Sequence, residues 1–152
     1  IRDIAMMMYT SGTTADPKGC PTTHEALVRT AVTGSRNCFE LTTKDRFWDP
    51  LPLFHMSAIL PLIGCLDAGS TYVTLTHVEP GAAIRQLREE ACTFSFSTFP
   101  TVTNAILDHP DWDSREFTRI RVNSMSHRRM GCVNYTKGFL IHAISTPTAA
   151  PR

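Results

Sequence analysis

No acidic residue follows Glu116, although the chain carries 14 Asp and Glu residues. Beyond it come Arg119, Arg121, Arg128, Arg129, Lys137 and Arg152. The formal net charge is still only +1, which excludes a general electrostatic pull toward nucleic acid or a membrane surface. The five cysteines (Cys20, Cys38, Cys65, Cys92 and Cys132) are odd in number, widely spaced and free of any Cys-x-x-Cys pair. That pattern excludes a disulfide framework and a zinc knuckle, and it predicts reduced thiols and a cytoplasmic setting. His77, His109, His127 and His142 lack metal-ligand spacing, so no metal residues are expected. The longest apolar run, around Ile59 to Leu66, is broken by Pro61 and Gly64 and is too short for a transmembrane segment. No basic-then-apolar signal opens the chain. It begins at Ile1 rather than Met, and the expectation is a piece of a longer protein.

What is present fits about one globular domain: 152 residues, 42% hydrophobic and 19% charged. Apolar runs and helical periods alternate. "IAMMMYTS" reads as a buried strand, with Met6 to Met8 in the core. His24 starts a helix whose Leu27, Val28 and Ala31 share a face. "RFWDPLPL" is a strand running into a proline-marked turn, with Trp48 and Phe54 as packing residues. "MSAILPLIGCLDAG" is a helix, bent or delayed by Pro61 and stopped at Gly69. "STYVTL" is a strand. "PGAAIRQLREEA" is an amphipathic helix in which Arg85 can pair with Glu89. "CTFSFSTF", "PTVTNAILDH" and "TRIRV" continue as strand, helix and strand. This alternation predicts an α/β fold, a mostly parallel sheet with covering helices. From Asn123 onward the pattern fails, and residues 123–152 are expected to be a disordered tail.

One stretch fits none of these elements. "YTSGTTADPKG", Tyr9 to Gly19, packs hydroxyls, two glycines and a lysine into a loop. Glycines let backbone N–H groups approach an anion, hydroxyls donate to phosphate oxygens, and a lysine adds a mobile charge. Those are the parts of a phosphate cradle. A Walker loop is excluded, because Pro17 stands where that pattern needs Gly before the Lys. On chemistry alone, an ordinary surface loop remains the alternative.

Thr10-Ser11-Gly12-Thr13-Thr14 followed by Pro17-Lys18-Gly19 closely resembles the phosphate-binding signature of the adenylate-forming superfamily. "HEALVR", "DPLPLFHMSAI" and "CTFSFSTFPTVTNAILDHPDWD" resemble that family's following segments. The resemblance spans Ile4 to about Val122 and leans toward acyl-CoA synthetases. It implies part of the large N-terminal domain of such an enzyme over residues 1–122. It also implies a two-step reaction. A carboxylic acid attacks the α-phosphate of ATP, pyrophosphate leaves, and the acyl group passes from the adenylate to coenzyme A. On this resemblance Thr10, Ser11, Gly12, Thr13, Thr14 and Lys18 hold the β- and γ-phosphates with Mg²⁺ nearby, and His55 lies beside the carboxylate and adenylate.

The chain departs from the family pattern. Ala15 stands where a glycine is usual, which would strain a position needing φ > 0. The adenine-stacking "YGxTE" segment, the ribose-binding Asp, the hinge and the Lys-bearing C-terminal domain are unmatched. The expectation is therefore a fragment of an ATP-dependent acid–thiol ligase, inactive alone. The alternatives are an incomplete remnant with weak or no nucleotide binding and an unrelated α/β interaction module.

Overall fold

The computed structural model describes residues 2–10, 16–97, 99–127 and 131–136. Two sheets occur among them. The first is a ribbon of β1 (Ile4–Tyr9) and β2 (Gly19–Thr23), paired antiparallel with Met8 opposite Cys20 and Tyr9 opposite Gly19. The second contains β3 (Arg46–Trp48), β4 (Thr71–Val73), β5 (Phe94–Ser95), β6 (Val122–His127) and β7 (Gly131–Thr136). Its order is β4-β3-β5-β6-β7; the first four strands are parallel and β7 is antiparallel to β6. The expected mostly parallel α/β sheet is present.

Helix boundaries follow local chemistry. Thr23 caps α1 (His24–Thr33) by accepting from the Ala26 N–H at 3.2 Å. The helix then widens into a π-helical turn, Gly34–Cys38. α2 (Met56–Ala68) runs through Pro61 without delay and ends at Gly69, whose φ of 66° is the left-handed value a glycine supplies without strain. α3 (Pro80–Glu89) starts with Pro80 in its first turn and the Glu79 carboxylate accepting from Gly81 and Ala82. α4 (Pro100–Leu107) also opens on a proline.

Successive residues of a strand face opposite sides of a sheet, and β3 uses this fully. Trp48 enters a core with Val73, Ile84, Leu87, Cys92 and Ile106 beneath α3 and α4. Phe47 enters another with Cys65 of α2, Phe94 and Val122. Both side chains are completely buried, and Phe47 stacks on Phe94 at 4.8 Å between centroids. The chain leaves β3 through α2 toward β4, and leaves β5 through α4 toward β6. Since β3 and β5 are neighbours, their carboxyl ends flank a topological switch point. Open α/β sheets leave a ligand crevice there.

Several expectations are corrected. β1 is not buried: it pairs only with β2, and Ile4, Met7 and Tyr9 are exposed. Val28 turns away from the Leu27–Ala31 face into solvent, and Phe54 is 81% exposed rather than packed. Arg85 reaches back toward Glu79, at 3.9 Å, instead of forward to Glu89. The last parallel strand starts at Val122 rather than at Thr118. The expected tail begins with strand: β6 crosses the boundary drawn at Val122, and β7 lies beyond it. Residues 128–130 and 137–152 of that tail are outside the described residues.

Candidate functional site

The polar loop joins β1 to β2, as its sequence suggests, and its base is closed by a reciprocal pair. The Thr10 N–H donates to the Lys18 carbonyl at 3.0 Å, and the Lys18 N–H donates to Thr10 Oγ1 at 3.2 Å. The two ends of the loop are therefore fixed against each other. Ser11, Gly12, Thr13, Thr14 and Ala15 lie outside the described residues. Thr10 and Lys18 are both exposed.

His55 sits at the start of α2. Its Nδ1 lies 2.8 Å from Ser57 Oγ and accepts the Ser57 backbone N–H at 3.4 Å. In the tautomer whose Nδ1 accepts from Ser57, the ring proton is on Nε2, and that N–H can donate to a ligand. The preceding turn is tied down as well: the His55 N–H donates to the Pro52 carbonyl at 2.9 Å.

These two features meet. Met6, Met8, Tyr9, Thr10, Phe54 and His55 line one cavity of about 860 Å³. Thr10, at the mouth of the polar loop, and His55 thus face a shared space. A second cavity of about 200 Å³ lies behind it. Ala31, Ser35, Ser57, Leu60, Gly64 and Phe96 line it, and its walls are mostly apolar. Ser57 therefore contacts both His55 and the apolar chamber. Phe96 follows β5, so this chamber opens beside the switch point. Among the described residues no cluster of three or more His, Cys, Asp or Glu side chains could hold a metal ion.

The AMP-binding enzyme family matches residues 1–134. The chain belongs to that family. Similar curated proteins include the putative acyl-CoA synthetase YngI of Bacillus subtilis, 31% identical over 125 residues. That match covers 82% of this chain and 22% of the relative. Feruloyl-CoA synthase of an Amycolatopsis species is 32% identical over 120 residues, covering 78% of this chain and 24% of the relative. Among solved structures, the inhibitor-bound N-terminal domain of FACL13 from Mycobacterium tuberculosis matches with a TM-score of 0.63 and 30% identity. It covers 73% of this chain and 28% of that one. ATP-bound MatB from Rhodopseudomonas palustris matches with a TM-score of 0.71 at 24% identity, over 82% of this chain and 24% of that one, and supports the fold. The chain thus spans between 22% and 28% of the length of these AMP-binding relatives.

Sequence reasoning singled out Thr10, Lys18 and His55 but missed their company. Met6, Met8 and Phe54 were assigned away from the site, because apolar side chains read as core wherever they occur. Ser57 carried a signal in retrospect: a residue two places after a histidine that ends a proline-rich turn is placed to be capped by it.

Proposed function

We propose that this chain supplies the phosphate loop and one wall of the acyl site of an AMP-forming acid–thiol ligase of the acyl-CoA synthetase type. In the reaction, an oxygen of a carboxylic acid attacks the α-phosphorus of ATP and pyrophosphate departs. The sulfur of coenzyme A then attacks the acyl carbon and AMP departs. The first step requires charge neutralisation around the phosphates more than covalent help. Thr10, Ser11, Gly12, Thr13, Thr14 and Lys18 hold the β- and γ-phosphates, and the His55 Nε2–H donates to the acid or its adenylate. Mg²⁺ accompanies ATP and neutralises phosphate charge; no step is assigned to it through these residues.

The observation that carries this reading is the shared cavity of Thr10 and His55. It sets the entrance of an anion-binding loop against a hydrogen-bond donor beside an apolar chamber. The chamber supports a hydrophobic acid. No helix among the described residues is long and apolar enough to cross a membrane, and we propose cytoplasmic catalysis on small molecules without nucleic acid. The chain alone is proposed to be inactive. The second reading is a catalytically incomplete remnant with weak or no nucleotide binding.

Pyrophosphate release with ATP, Mg²⁺ and a panel of carboxylic acids tests the proposal, comparing the chain with a longer parent that includes it. Release by the parent, abolished by Lys18→Ala, is expected. A parent that adenylates only amino acids would overturn the acyl-CoA assignment, and a parent that releases none would favour the remnant.

A further inference from the structure

We infer, resting on the acyl-CoA synthetase reading above, that the apolar chamber behind His55 is a preformed seat for a compact, ring-sized acyl group, and that Leu60 sets the size it accepts. The chamber exists because small residues meet across two helices. Ala31 and Ser35 come from α1 and its π-helical turn, and Pro61 and Gly64 from α2; all are buried and close the inner end. A Cβ added at Gly64 would lie 3.0 Å from Ser35 Cβ and 3.4 Å from the Ala31 carbonyl oxygen, so the helices touch there. Leu60, one turn before Gly64, is the bulkiest α2 residue in the wall.

The walls are held in place. Arg36 of the π-helical turn donates from Nε and Nη2 to the two carboxylate oxygens of Asp67, at 2.9 and 2.8 Å, one turn beyond Gly64. Phe39, also in the wall, sets its ring edge-on to Phe47, Phe94 and Phe96, with centroids 5.9, 5.3 and 6.2 Å away. Its carbonyl accepts from Arg121 at 3.1 Å. Walls fixed on both sides select a ligand by size, because little can yield to a larger one.

Volume and polarity name the class of acid. The chamber holds about 200 Å³. That exceeds the ~150 Å³ of an apolar cavity able to take up benzene, and it falls below the roughly 300–1,000 Å³ of sites for drug-sized ligands. A phenyl ring or a short alkyl chain fits, and a long fatty chain does not. The Ser35 hydroxyl has the Val32 carbonyl at 3.0 Å and the Asp67 carboxylate at 3.3 Å as acceptors, and the Ser57 hydroxyl bonds His55. Both already have protein partners. Among the described residues, no Asp, Glu, Lys or Arg lines the chamber. The ammonium of an amino acid or the second carboxylate of a diacid would be buried there unpaired, which is costly. Ser57 marks the boundary with the larger cavity, so the carboxyl end of the acid lies toward His55 and Thr10 and the hydrocarbon end fills the chamber.

Two measurements test this, one of them independent of catalysis. Toluene titrated into the isotope-labelled 152-residue chain should give saturable amide shifts at Ala31, Ser35 and Gly64, weakened about tenfold or more by Leu60→Trp. In a longer parent that includes the chain, kcat/KM for pyrophosphate release should be about tenfold or more higher with phenylacetate or hexanoate than with palmitate. Leu60→Ala should raise the palmitate-to-hexanoate ratio about tenfold, and Leu60→Trp should lower the phenylacetate-to-acetate ratio about tenfold. Ratios taken within one variant cancel any loss of folded enzyme. Toluene shifts that are absent, unsaturable or confined to other residues would overturn the chamber as a binding site. Ratios unmoved by both Leu60 variants would overturn the role of Leu60. A parent that prefers palmitate would overturn the size class and leave the acyl-CoA synthetase reading intact. A parent that releases pyrophosphate with no acid would overturn that reading itself, even where toluene binds.

Discussion

Arg121 grips Asp45 with two parallel bonds, Nε to Oδ1 and Nη2 to Oδ2, each 2.9 Å long, across 76 residues of sequence. The same guanidinium donates to the carbonyls of Phe39 and Glu40 and lies 5.1 Å over the Phe94 ring. Asp45 also accepts from Thr42 and Thr93. This cluster ties the entry of β3 to the segment after the π-helical turn and to the approaches of β5 and β6. Arg121→Met keeps the stem but strands a nearly buried carboxylate. It should cost about 3 kcal/mol in urea unfolding.

The same pair sets a pH response. Burial works to raise the Asp45 carboxyl, but the donors from Arg121, Thr93 and Thr42 outweigh it and hold the group well below the usual carboxylate range. Stability from a depressed carboxyl is complete above the unfolded value of about 4 and is lost as the pH falls below it. Acidification from pH 4 to 2 should therefore destabilise wild type more steeply than Asp45→Asn, measured by unfolding midpoint. Parallel curves would refute this assignment.

His55 has two roles that mutation can separate. As a helix cap it bonds Ser57, and His55→Ala should lower stability by about 1 kcal/mol. His55→Asn restores a capping oxygen and should unfold within about 0.5 kcal/mol of wild type. In a longer parent, both variants should lose adenylation if the Nε2–H serves the substrate. Full activity in the Asn variant would confine His55 to capping.

Gly69 offers a sharper stability test. Its positive φ penalises any side chain, and an added Cβ would also lie 3.3 Å from Thr43 Cγ2. Gly69→Ala should cost about 1 kcal/mol and Gly69→Asn less, since Asn tolerates the left-handed region better. Thermal unfolding of the three proteins would rank them.

Much of this architecture was legible where local chemistry decides it. Pro80 behind Glu79 announces α3, Gly69 announces the end of α2, and alternating strand and helix periods announce the parallel sheet. The loop's composition set it apart from helix and strand, and its ends lie on β1 and β2, as expected. What failed depended on neighbours distant in sequence. Three consecutive methionines show that β1 is apolar, not whether anything covers it. The partner of Arg85 was set by the capping role of Glu79, six residues upstream, rather than by Glu89 downstream. The burial of Asp49 was hidden by Pro50: an Asp-Pro pair reads as a solvated turn, and only the packing of Trp48, Tyr72 and Cys65 shows it to be interior.

The uncovered ribbon has a practical consequence. Ile4, Met7 and Tyr9 stand in water on strands with open edges, near Phe54. Cells treat such surfaces as signs of unfinished folding, and exposed strands recruit one another at high concentration. Made alone, this chain is destined to be a chaperone client, and its abundance will be governed by quality control before any chemistry at Thr10 or His55 comes into play.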